Sequence, residues 1–170
     1  SVTGSVGSSQ TTGTSKTITW DADTDFDGQF QSDIQVRIRA TDTFTNQGTF
    51  TESSNFTLDT ANPVVLNVTA AQNAGSTNVT FTYDLADDNA SNLTVELDIS
   101  QHGGSTWTVT DTSVTGSVGS SQTTGTSKTI TWDADTDFDG QFQSDIQVRI
   151  RATNYFNNQV TSHEAFYLTP

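Results

Sequence analysis

Apolar and polar residues alternate along most of this chain with a period of two. VVLNV puts Val64, Leu66 and Val68 on one face of an extended segment, and NVTFTYDL does the same with Val79, Phe81, Tyr83 and Leu85. LTVELDI offers Leu93, Val95, Leu97 and Ile99. A turn at His102-Gly103-Gly104 leads to STWTVT, with Trp107 and Val109 predicted to face inward. KTITW points Ile130 and Trp132 inward, DIQVRIRAT alternates Ile146, Val148, Ile150 and Ala152 against polar neighbours, and EAFYL closes with Phe166 and Leu168. Successive side chains of a strand point to opposite faces, so this period predicts seven half-buried strands in residues 62–170. Strands with one apolar and one polar face belong to antiparallel sheets packed face to face.

The chain also repeats itself. Ser1–Thr41 recurs without change as Ser113–Thr153, at an offset of 112 residues. Identity that extends through the loops exceeds what folding needs and points to recent duplication within an array. The period is far too long for a solenoid repeat and matches one β-sandwich domain. The boundary falls in FTLDTANPVV, where Pro63 disfavours helix and stiffens a link between two strands. Residues 62–170 then form one complete domain and residues 1–61 the C-terminal half of the preceding repeat. That half supplies about three strands, too few to bury a core alone. Gly4, Gly7, Gly13 and their copies, scattered among Ser and Thr, read as a loop or mobile edge.

The FTLDTANP link, the STWTV segment after a Gly-Gly turn, KTITWDAD and the alternating IQVRIRAT strand resemble features of the immunoglobulin-like and fibronectin type III-like repeats of large bacterial surface proteins and adhesins. The resemblance covers 62–170 and the half repeat before it. It implies an all-β antiparallel sandwich in tandem, used as a spacer in an extracellular stalk, with calcium at loops and junctions. The Cys–Trp–Cys core of antibody domains has no counterpart here.

Composition narrows the function. Seventeen of the 20 acidic residues are Asp, against 6 basic residues, for a formal charge of −14. A phosphate backbone needs a basic face, so nucleic acid is excluded as an expected partner. No apolar run reaches membrane-spanning length. With no Cys there is no disulfide and no thiol nucleophile. His102 and His163 lie in no metal-ligand spacing, no Glu pairs with an Asp in an acid/base arrangement, and there is no phosphate-binding Gly loop. The expectation is a protein that is not an enzyme.

The candidate chemistry is cation binding. DADTDFDGQF occurs twice, and Asp23, Asp25, Asp27 with Gly28 match the D-x-D-x-D-G opening of a calcium loop, as do Asp135, Asp137, Asp139 with Gly140. Ile34 and Ile146 stand where a bidentate Glu belongs, so Asp33 and Asp145, one residue earlier, are the substitutes. The alternative is a solvated acidic turn. A second candidate is the loop LADDNASN, with Asp84, Asp87, Asp88 and Asn89, and a third is the junction, with Asp59 and Asn62 joined by Asp42 or Asp88. All three Trp are expected in the core. Phe26, Phe30, Phe138 and Phe142 are expected at the base of the sandwich or, in a bolder reading, as a sugar platform. Arg37, Arg39, Arg149 and Arg151 are expected to pair with acids on neighbouring strands.

These features predict a non-enzymatic, extracellular spacer at the cell surface, stiffened by Ca²⁺, whose partners are neighbouring repeats and possible further copies of itself. A glycan- or protein-binding module is the first alternative. The second is a filament or surface-layer subunit in which another chain completes residues 1–61 by strand complementation.

Overall fold

The computed structural model describes residues 1–88 and 92–168, which form two compact units, Ser1–Ala61 and Asn62–Pro170. The architecture is all-β and antiparallel. The first unit holds β1 (Val2–Gly4), β2 (Ile18–Trp20), the single helical turn α1 (Ala22–Asp25), β3 (Phe30–Ile34), β4 (Arg37–Ile38), β5 (Thr51–Glu52) and β6 (Phe56–Asp59). They pair only as three two-stranded ribbons, β1–β2, β3–β6 and β4–β5.

The second unit contains β7 (Val64–Gln72), β8 (Asn78–Ala86), β9 (Leu93–Ser100), β10 (Val114–Gly116), β11 (Gly119–Gln122), β12 (Gly125–Asp133), α2 (Ala134–Asp137), β13 (Gln143–Thr153) and β14 (Gln159–Leu168). One sheet runs β10-β12-β8-β7 and the other β11-β9-β13-β14. A single core lies between them, built from the alternating positions of β8, β9, β12 and β13. Val79, Phe81, Tyr83, Leu93, Val95, Ile99, Ile130, Trp132, Ile146, Val148 and Ile150 are all fully buried. Phe166 from β14 meets the ring of Phe81 edge-on at 5.7 Å. The polar faces of β9 and β13 carry the ion pairs Arg149–Asp98 and Arg151–Glu96. Such pairs across solvent-facing strands hold register but contribute little to stability.

Three expectations change. In β7 it is Val65 and Val68 that are buried, while Val64 and Leu66 are 42% and 56% exposed. A bulge between Leu66 and Thr69, with Asn67 at φ +51°, adds one residue and switches the face. STWTVT forms no strand; it meets β9 at the isolated Ile99–Val109 bridge, where Val109 packs against the core. Trp107 is therefore outside the core. It lies against the outward face of β13, 4.5 Å from the Arg149 guanidinium carbon and 5.7 Å from the His163 ring. Finally, the glycine-rich segment is not merely a loop. It forms β10 and β11, which edge opposite sheets.

The step from β10 to β11 crosses the core edge within two residues. Gly116 at φ +99° and Gly119 at φ +86° supply backbone that other residues avoid. Tyr83 spans the gap, its hydroxyl donating to the Ser117 carbonyl at 2.5 Å, and burial pushes its phenol pKa up to about 12. A Cβ on Gly116 would collide with the Thr129 carbonyl oxygen. Gly116→Ala should therefore cost of order 1–3 kcal/mol, measured by urea unfolding of the full chain. Gly75→Ala serves as the control, because a Cβ there meets open space although its φ is also positive.

Candidate functional site

The acidic motif folds the same way in both units. Asp133 precedes one helical turn, α2, in which Phe138 N–H donates to the Ala134 carbonyl at 2.7 Å. Asp133 accepts from the Thr136 hydroxyl at 2.9 Å, and its copy Asp21 accepts from the Thr24 hydroxyl at 2.7 Å and the Thr24 N–H at 3.4 Å. Asp21 thereby caps the first turn of α1 through the Thr24 N–H, whereas Asp133 reaches only the Thr136 hydroxyl and makes no side-chain bond to the backbone of α2.

Asp137 then turns inward. Its Oδ2 accepts from the indole N–H of Trp132 at 3.0 Å, from Ser113 N–H at 2.9 Å and from the Ser113 hydroxyl at 2.6 Å, while Oδ1 accepts from the Thr112 hydroxyl at 2.7 Å. Trp132 is fully buried, so its N–H has no access to water and needs this acceptor. One carboxylate thus ties the end of β12 to the residues that lead into β10. In the first unit Asp25 does the same with Trp20 at 2.9 Å and the Ser1 amino group at 2.6 Å.

This geometry separates the motif's aspartates. Residues two apart on a helical turn point away from each other, so Asp135 and Asp137 diverge. Asp23, Asp27, Asp135 and Asp139 are exposed, as are Asp33 on β3 and Asp145 on β13. Among the described residues no three His, Cys, Asp or Glu side chains converge on a point that could hold a metal ion. The motif's residues build a helical turn that hydrogen-bonds a tryptophan.

The other candidate ligands are also dispersed. Asp84 sits on the outward face of β8 and accepts from the Asn67 side chain at 2.7 Å and from Ser127 N–H at 2.7 Å. Asn67 and Ser127, at φ +51° and +52°, lie in bulges of β7 and β12. Asp84 therefore fastens two bulges across the strand between them. Asp87 is half-buried and Asp88 exposed, while Asn89 lies outside the described residues. Asp59, buried at the end of β6, accepts from Ala61 N–H at 2.9 Å within the first unit. Asn62 accepts from Gln159 N–H at 3.1 Å within the second.

Charge regulation follows the hydrogen bonds. Burial works to raise the Asp137 pKa, but donors from Ser113, Thr112 and Trp132 outweigh it and hold the carboxyl below its ordinary value of 3.8. Hydrogen bonds from Thr24 lower Asp21, and those from the Ser1 amino group and Trp20 lower Asp25. A carboxyl depressed on folding stabilises the native state fully above its unfolded value and loses that contribution as pH falls through its folded value. Thermal melts below about pH 4 should therefore show a loss of stability that is shallower in Asp137→Asn than in the parent chain.

The aromatics divide. Phe138 packs against the core, Phe26 lies 6.5 Å from Trp20, Phe30 is half-buried, and Phe142 is 61% exposed. Arg37 and Arg39 sit over the Phe50 ring at 4.5 and 4.7 Å. A separate feature was not legible in the sequence: the tips that join β4 to β5 and β13 to β14. Asp42 Oδ1 accepts from Phe44 N–H and Asn46 N–H, both at 2.9 Å, which leaves Phe44 83% exposed. Asn154 Oδ1 accepts from Phe156 N–H at 3.1 Å and Asn158 N–H at 3.0 Å, below Tyr155 at 76% exposure. These tips lie where the two copies begin to differ, TDTFTNQ against TNYFNNQ. No protein-family model, curated protein or solved structure matches the chain.

Proposed function

We propose that this chain is part of a tandem array of immunoglobulin-like or fibronectin III-like modules that acts as a non-enzymatic extracellular spacer at a cell surface. The observation that carries this is the duplicated segment itself: what repeats without change is scaffold. The shared 41 residues contain the Trp–Asp clamp, the crossover glycines and the central strand β13, and none of these is a converging set of reactive groups. Strand order supports the finer fold. With β7, β8, β9, β10, β12, β13 and β14 taken as A to G, the sheets read D-E-B-A and C-F-G, with β11 added beside C. The seven lettered strands follow the constant-type immunoglobulin order, with β11, between D and E in the chain, outside it; this likeness supports the reading.

Neighbouring repeats are the partners this reading requires. Arrays of two, four and eight copies of residues 62–170 test it by small-angle X-ray scattering. A spacer predicts a maximum dimension that grows linearly, by roughly 35 Å per module for strands of this length. Growth close to the square root of copy number would mark a flexible string and overturn it.

Calcium belongs to the proposal as a screening counter-ion for the exposed Asp23, Asp27, Asp135 and Asp139, relieving the self-repulsion of a charge of −14. Equal concentrations of Ca²⁺ and Mg²⁺ should then raise the melting temperature equally over EDTA. A shift specific to Ca²⁺ and lost in Asp135→Asn would instead establish a coordinated site.

The exposed aromatic tips favour one second reading, a binding module. Phe44, Tyr155 and Phe156 are held on hydrogen-bonded turns at the place where the copies diverge. A glycan or protein ligand would be lost in Tyr155→Ala with the melting temperature unchanged.

A further inference from the structure

The chain contains its own control for what an incomplete module looks like. Ile18, Val36 and Ile38 are 36%, 43% and 55% exposed, while their identical copies Ile130, Val148 and Ile150 are all at 0%. Phe56 is 38% exposed and its counterpart Phe166 6%. The cover in the second unit comes from β8 and β9, where Ile130 pairs with Phe81, Val148 with Ile99 and Ile150 with Leu97. Residues 1–61 contain no counterpart of those strands.

The first ribbon of residues 1–61 is already in the register of a finished module. Val2, Thr3 and Gly4 pair with Trp20, Thr19 and Ile18, as Val114, Thr115 and Gly116 pair with Trp132, Thr131 and Ile130. The helical turn and the Trp–Asp hydrogen bond are also in place. The strands that lack a neighbour are cut short: β13 runs 11 residues between two neighbours and β12 runs 9, whereas the same sequences give β3 and β4, of 5 and 2 residues, and β2, of 3, and the residues equivalent to β11 form no strand. Strand formation follows the partner more than the local sequence.

We propose that residues 1–61 are an acceptor half-module whose open apolar face takes one defined occupant, a second copy of the three-strand segment 62–112. Counting supports the choice. That segment occurs once in the chain and its complement twice, and the copy present is engaged with residues 113–170. Main-chain pairing along an open strand, with apolar side chains in register, is the physics of strand complementation. The inference is independent of the spacer function.

The test joins residues 62–112 directly ahead of Ser1 in the full chain, which recreates the Thr112–Ser113 connection. The calorimetric unfolding enthalpy, which scales with the number of folded residues, should roughly double relative to the 170-residue chain. Ile38→Asp should abolish the increase in the extended chain. In the unextended chain Ile38 is already more than half exposed, so the same substitution should leave its melting temperature unchanged. An unaltered enthalpy on extension, or a gain that survives Ile38→Asp, would overturn the proposal.

Discussion

Ile150→Ala is expected to destabilise residues 62–170 by about 2–5 kcal/mol, while Ile38→Ala changes stability by less than about 0.5 kcal/mol. The two isoleucines sit in the same stretch, DIQVRIRAT, at equivalent positions of the duplicated sequence. They differ in cover. Ile150 has no exposed surface and pairs with Leu97 across the β9–β13 ladder, whereas Ile38 is 55% exposed. Truncating a buried isoleucine removes its transfer free energy and leaves a cavity that a close-packed core closes only in part. At Ile38 there is no cavity to leave. For a domain of this size the first substitution should lower the melting temperature by roughly 10 °C or more, and the second should be nearly silent. Equal effects would show that residues 1–61 bury their own core.

Asp137→Ala is expected to cost about 2–3 kcal/mol, because it leaves the buried Trp132 N–H and the Ser113 N–H without their acceptor. Asp135→Ala, two residues earlier in the same acidic run and exposed to solvent, should produce no measurable change. A cation site formed by the whole motif would make both substitutions costly, and only when the cation is present. The hydrogen-bonded clamp makes one of them costly with or without it. Trp132→Phe removes the donor, so Asp137→Ala in that background should cost clearly less than in the parent. Additive costs would mean that the Trp132–Asp137 bond contributes nothing of its own.

How much of this could be read beforehand depended on which force set each residue. The alternating strands β8, β9, β12 and β13 were legible because their faces are sorted by hydrophobic burial, which depends on sequence period alone. β7 was misread because Asn67, in a left-handed conformation, inserts a bulge. The residue that fixes it, Asp84, lies on another strand 17 positions away. Trp107 was assigned to the core from the alternation of STWTVT, yet that segment forms no strand and the ring lies over the Arg149 guanidinium on the outer face.

The aspartate motif was legible as chemistry but not as geometry. Alternating carboxylates suggest ligands around an ion if the loop is extended. The segment takes a single helical turn instead, closed by the Phe138 N–H to Ala134 carbonyl bond, and i, i+2 residues on it do not face each other. A Trp five residues before the Asp, as in Trp132 and Asp137 or Trp20 and Asp25, is the sequence signal that could have found the clamp. The glycine-rich stretch was read as a loop or mobile edge, and its strands were missed because they are three and four residues long. Such short pieces carry no period of their own and exist only by pairing with longer strands.

The same sequence is ordered in one unit and open in the other because only one has its covering strands. Residue-resolved amide hydrogen exchange on the full chain tests this most directly, comparing Trp20 with Trp132, Val36 with Val148 and Ile38 with Ile150. The account predicts that Trp132, Val148 and Ile150 exchange only through global unfolding of their unit, while Trp20, Val36 and Ile38 exchange orders of magnitude faster. Equal protection within each pair would contradict it.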